Sequence, residues 1–279
     1  MLQIYARKAD RFCLREISNP AIEQAIAPAL WYDLLNPTPE ETADVEAALH
    51  ISIPTREEME DIELSARLYQ EAGAAFMTMT ALTNLDGDEP AKMPVTFILA
   101  GSTLVTVRHA DAKPFTAFSN RALRGNGHSY ETGEDVMLGV IEAVIDRMAD
   151  VLERLGNEID GISREVFRGK KGSSTKKTRN LEALIEQLGR KGDFLSGVRE
   201  SLVSISRLVA YHAAVESPAR RPSKDIRQLV KLAQRDAASL GDHAAFLSGK
   251  INFLLDATLG LINLEQNQII KIFSVAAVA

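Results

Sequence analysis

The sequence predicts an α+β protein: an N-terminal α/β domain with a mixed sheet, then long antiparallel helices, then a very long C-terminal stalk helix. Three observations predict it. Before about residue 128, short β-like runs alternate with turn signals. From Glu131 the apolar residues recur every three or four positions over long stretches. The last helical pattern, opened by Ser223, continues unbroken to Ala279. The corresponding segments are 1–127, 128–222 and 223–279.

Taken in order, "LQIYAR" and "RFCLREI" flank Lys8-Ala9-Asp10 and predict a hairpin. "LWYDLL" (30–35) predicts a strand. In "TPEE", Thr38 is an N-cap with Pro39 at N1 and Glu41 at N3, a capping box; Thr55 and Glu58 repeat it in "TREE". "AAFMTMTAL" (74–82), "PVTFILA" (94–100) and "TLVTVRH" (103–109) predict strands, the last two joined by a hairpin at Gly101-Ser102. "KPFTAFSNRAL" predicts a short covering helix. One amphipathic helix follows, with Val136, Val140, Val144, Met148, Val151, Leu155, Ile159 and Ile162 on its apolar side. "RGKKGSSTKK" breaks it, and a second helix runs from about Arg179 to Val215. "ESPARRPS" (216–223) breaks that one. The third pattern covers 56 residues from Lys224, about 84 Å at 1.5 Å per residue.

That last helix carries a stripe of Ile226, Leu229, Ala233, Leu240, Leu247, Ile251, Leu254, Thr258 and Leu261. Two readings fit the stripe: an intramolecular three-helix bundle, or the stalk of an oligomer. The polar tract "NLEQNQ" (263–268) ahead of a greasy end favours the stalk, because amides there can face an axis shared by several subunits.

Composition narrows the function. An apolar share of 46% and a charged share of 25% are ordinary globular values. A net charge of −6 argues against a nucleic-acid binder. Cys13 is the single cysteine, so no internal disulfide forms. The start has no apolar signal region, and no unbroken apolar stretch reaches the roughly 18–20 residues of a membrane span. The terminal run comes nearest.

No enzyme constellation is found. "GKKGSST" lacks the order and the preceding strand of a phosphate loop. His50, His109, His128, His212 and His243 share no metal-ligand spacing. Cys13 has no nearby histidine, and no serine sits in a nucleophile elbow. One acidic cluster stands out in "REEMEDIE": Glu57, Glu58, Glu60, Asp61 and Glu63. It reads either as a solvated helix end or as a site where a hard divalent cation relieves carboxylate repulsion.

Several segments resemble one family. "WYDLLNPTPEE", "IPTREEMEDIELSARLYQEAGAAFMTMTAL", "LVTVRHADAKPF", "INFLLDATLGLIN" and "NLEQNQIIKIFSVAAVA" are similar, in order, to CorA-type magnesium transporters. The resemblance implies a truncated piece, the cytosolic domain plus the first turns of the pore helix. The family's Y-G-M-N signature and second membrane helix would follow Ala279. It also implies a homopentamer in the cell inner membrane, with this part on the cytoplasmic side and no enzyme chemistry. Mg2+ would be both cargo and regulator, with Co2+ or Ni2+ also accepted. Asn267, Ile270, and Phe273 or Ser274 fall at the inner pore, with Ile270 where the family usually has methionine. Glu60 and Asp61 match the acidic pair of the regulatory site, to be completed by Asp236 or Asp242 of a neighbour. Glu158 and Asp160 are second-site candidates. A soluble coiled-coil scaffold and a zinc-transporting relative are the competing readings.

Overall fold

The computed structural model describes residues 1–8, 11–15, 29–87, 90–125, 130–167, 174–215 and 224–278. Seven strands form one sheet: β1 (Leu2–Lys8), β2 (Arg11–Arg15), β3 (Ala29–Leu35), β4 (Leu68–Glu71), β5 (Ala74–Thr83), β6 (Ala91–Ala100) and β7 (Thr103–Arg108). Their order is β2-β1-β3-β7-β6-β5-β4. Every neighbouring pair is antiparallel except β3 and β7, which run parallel with Trp31 opposite Leu104, so the sheet is mixed as expected. The β6–β7 hairpin turns at Gly101, whose φ of +61° suits glycine.

Edge strand β4 was not foreseen; four residues are too few to show an alternating pattern. Strand β6 starts before the expected Pro94. Thr80, opposite Pro94, turns its N–H outward to Ser204 Oγ, so the pair exchanges no ladder bond. The proline nitrogen then faces the β7 side, beyond Arg108 where that strand ends.

Alternation along the strands gives the sheet two faces. One buries Leu34, Phe76, Ile98, Val105 and Val107 under α1 (Pro39–Leu49) and α2 (Arg56–Glu60), through Val45 and Met59. Both helices start with the expected capping boxes, Thr38 with Glu41 and Thr55 with Glu58. A single turn, α3 (Leu64–Arg67), leads into β4. The other face buries Trp31, Met77, Met79, Val95, Phe97 and Leu104 under α4 (Lys113–Leu123), α5 (Gly133–Phe167) and α6 (Ser174–Ala214). The domain is therefore three layers.

Helices α5 and α6 are antiparallel, since Glu134 meets His212 at one end and Glu158 meets Lys191 further along. Helix α6 begins before the expected start near Arg179. The Ala9-Asp10 turn, the breaks at 168–173 and 216–223 with the Ser223 cap, and His128 lie outside the described residues. The final helix, α7 (Lys224–Val278), has 55 residues, about 82 Å. Its stripe packs on α5 and α6 of the same chain: Ile226, Ala233, Leu247, Ile251, Leu254 and Thr258 are buried, and Leu229, Leu240 and Leu261 are partly so. The intramolecular bundle thus accounts for the stripe up to Thr258. Beyond it Leu264, Ile270, Ile272, Phe273 and Val275 are exposed.

The seat of α5 on the sheet depends on Gly133. Its N–H donates to Ser102 O at 2.7 Å, and a Cβ there would stand 2.3 Å from the backbone nitrogen of Leu104. Backbone cannot yield as a side chain does. Gly133→Ala is therefore expected to lower the unfolding free energy by about 1–3 kcal/mol or more, read as a lower urea midpoint at unchanged slope.

Asp86, in the β5–β6 turn, pins α4 and α5. Its carboxylate accepts from Lys113 Nζ and from an Arg147 guanidinium N–H, and these hydrogen bonds hold its pKa below the usual aspartate value. A depressed carboxylate contributes stability in full above the unfolded pKa of about 3.9 and loses it as pH falls through the folded value. Thermal melts of wild type should therefore fall more steeply below about pH 4 than those of Asp86→Asn.

Candidate functional site

The acidic corner is built by a short helix and its exit. Thr55 caps α2, accepting from Glu58 N at 3.3 Å while Glu58 Oε2 accepts from Thr55 N at 2.8 Å. Glu58 is thereby committed to the cap. Met59 points inward and is 1% exposed, which turns Glu60 and Asp61 outward. Glu60 accepts from Arg56 Nε at 2.9 Å, an exposed pair of small net worth that a divalent ion can replace. Asp61 ends the helix; its Oδ1 accepts from Glu63 N at 3.1 Å and its carbonyl accepts from Arg67 Nε. Ile62 beside it is 88% exposed. Close by, His109 has a buried Nε2 without a hydrogen-bond partner among the described residues. Burial first, and the Arg56 charge second, hold its pKa below the ordinary histidine value.

The stalk aspartates sit on α7. Asp236 is half-exposed, accepts from Arg235 at 3.1 Å and lines a cavity of about 420 Å³ together with Arg121, Glu142 and Asp146. Asp242 is exposed. Helix α2 packs on one side of the sheet, whereas α7 packs on α5 and α6 on the other. Within one chain, Glu60 and the two stalk aspartates therefore belong to helices in different layers. Glu158 is held by Lys191 at 2.7 Å, and Asp160 by Lys250, whose hydrogen bond keeps the Asp160 pKa low. Among the described residues, no three His, Cys, Asp or Glu side chains group as a metal site.

Asn267, Ile270 and Ser274 follow steps of three and four along one exposed side of α7, with Phe273 beside them; Ser274 Oγ donates to Ile270 O at 2.8 Å. No unbroken run of apolar residues in the chain is long enough to cross a membrane. The helix Lys224–Ala276 nevertheless contains a window long and apolar enough, by length and composition, to cross a membrane, and 22% of that window is buried.

Reading the motifs did not reveal Arg67 as the partner of the Asp61 carbonyl, nor the buried pair of Asp33 and Arg108. The second left a signal: charges of opposite sign inside the apolar strands "LWYDLL" and "TLVTVR".

The described fold is a three-layer domain that passes its core to one very long helix with an exposed apolar end. The chain belongs to the CorA-like Mg2+ transporter protein family, whose model matches residues 27–279. It is 30% identical to the magnesium transport protein CorA of Salmonella typhimurium, covering 100% of this chain and 84% of that protein. The Escherichia coli magnesium transport protein CorA matches at the same 30%, again over 100% and 84%. Among solved structures, the complete CorA magnesium transporter of Methanocaldococcus jannaschii superposes with a TM-score of 0.79 at 14% identity, over 100% of this chain and 82% of the other. The cytoplasmic domain of ZntB from Vibrio parahaemolyticus gives 0.66 at 10% identity, over 95% and 98%. At such identities the structures speak for the fold.

Proposed function

We propose that this chain is the cytosolic, Mg2+-sensing portion of a homopentameric divalent-cation channel of the inner membrane, with Mg2+ as cargo and Co2+ and Ni2+ also accepted. The observation that carries this reading is the 30% identity, along the whole chain, to proteins named for magnesium transport. Five copies of Asn267 around an axis would present amides to a cation's water shell. Rings of Ile270 and Phe273, with Ser274 beside them, would form an apolar constriction that dewets when narrow.

Regulation would use a second set of residues. Mg2+ keeps most of its waters and takes one or two carboxylates. Glu60 and Asp61 of one subunit facing Asp236 or Asp242 of the next supply that, and the opposite placement of these groups within one chain supports an inter-subunit site. Glu158 and Asp160 are poorer ligands while Lys191 and Lys250 neutralise them.

The test is flux. The full-length protein, reconstituted in liposomes with a Mg2+-sensitive dye inside, should admit Mg2+ down its gradient. Zn2+ entry without Mg2+ entry would contradict the reading and favour the zinc-transporting relative.

A further inference from the structure

We infer that Arg67 is a positioning residue that couples the acidic corner to helix α6; the inference rests on the proposed Mg2+ reading of Asp61. Arg67 closes α3 and reaches in two directions. Its Nε donates to the carbonyl of Asp61, and a terminal guanidinium N–H donates to Thr80 Oγ1 at 3.1 Å. Thr80 is 5% exposed and lies on a stretch of β5 that has lost its outer neighbour, since β4 pairs only as far as Leu68 opposite Met77.

Helix α6 takes the place of the missing strand there. Thr80 N donates to Ser204 Oγ at 2.9 Å, and the hydroxyl turns its own hydrogen to Ser201 O at 2.8 Å. An unbroken path of hydrogen bonds therefore runs from the Asp61 peptide through Arg67 and Thr80 to α6. Helix α6 in turn packs along α7, the helix that carries the stalk aspartates and the exposed apolar end.

The chemistry suits the task. A guanidinium is planar and its donors hold fixed angles, so two acceptors bound to one group keep a fixed separation. One acceptor is the backbone at the cation-binding corner; the other is anchored in the core edge. When a cation draws the Asp61 carboxylate toward a neighbouring subunit, the Asp61 peptide moves with it. The rigid group passes that displacement to Thr80 and the Ser204 turn. A lysine in its place has one nitrogen and a flexible stem, so it can hold one end or the other but transmits poorly.

Hydrogen exchange on the full-length protein tests this, with and without Mg2+. In wild type, Mg2+ should slow amide exchange both at 59–63 and at 201–208. Arg67→Met should keep the response at 59–63 and lose it at 201–208, and Arg67→Lys should restore part of it. A simple structural staple would change baseline exchange at both places without separating the two responses. A response at 201–208 that survives Arg67→Met overturns the coupling alone. A wild type silent to Mg2+ at both segments overturns the metal reading, and the coupling falls with it; Asp61→Ala should reproduce that silence.

Discussion

Arg108→Met should lower the stability of the domain by about 3–5 kcal/mol, the cost of leaving one half of a buried ion pair without the other. Asp33 and Arg108 are only 3% and 4% exposed. Their pairing is bidentate: Arg108 Nε donates to Oδ1 at 3.1 Å and a terminal N–H donates to Oδ2 at 2.7 Å. Thr106 Oγ1 donates to the same Oδ1 at 2.8 Å, and Trp31 Nε1 donates to Thr106 Oγ1 at 2.8 Å. The guanidinium also lies over the Phe115 ring at 4.7 Å. Burial alone would lower the Arg108 pKa, but the hydrogen bonds and charges of Asp33 and then Asp111 together outweigh it and raise it, so the cation persists at every working pH. Removing Arg108 strands a carboxylate in the core; Asp33→Leu would leave the buried guanidinium with only Asp111, at 3.2 Å, as its charged partner. Replacing both should recover much of the loss, because two apolar groups leave no uncompensated charge. Trp31 is the only tryptophan, so its fluorescence reports the network during urea unfolding. A single Arg108→Met variant within about 0.5 kcal/mol of wild type would show the pair to be dispensable.

Much of the architecture was legible because local chemistry and tertiary packing agree. Thr38 and Thr55 followed by glutamates three positions on make capping boxes wherever a helix can start, and both do. The steps from Val136 to Ile162 place one face of α5 in the core, and all eight residues of that series are buried. The α7 stripe was legible as a seam, but its partner was not: periodicity states that a face is covered, and only the fold shows that α5 and α6 cover it up to Thr258. Strand β4 escaped because its hydrogen bonds come from β5 and its four residues carry no pattern. At the candidate site, Glu60 and Asp61 stood out by charge density. Arg67 did not, because its role depends on where the α2–α3 corner folds back onto Thr80, a contact between residues 13 apart.

Asp61→Ala should remove most of the stabilisation that Mg2+ confers on the assembled protein. A ligand that binds only the assembled state stabilises it by RT ln(1 + [L]/Kd), about 1.4 kcal/mol per site at ten times Kd. With one site at each boundary of the proposed homopentamer, the effect on the assembly would be several-fold larger. Because Asp61 is exposed and, among the described residues, its side chain bonds only to Glu63 N, the substitution should cost little in the absence of Mg2+. In the proposed full-length channel, losing this contact should bias gating toward open, since Mg2+ would no longer tie neighbouring subunits together.

The most direct measurement is therefore a Mg2+ titration of the melting temperature and oligomer fraction of the full-length protein, wild type against Asp61→Ala, at fixed ionic strength. The account predicts a rise in both quantities over the millimolar range in wild type and a flat or strongly blunted response in the variant. Equal stabilisation of the two by Mg2+ would contradict it, and would return the acidic corner to a solvated helix end.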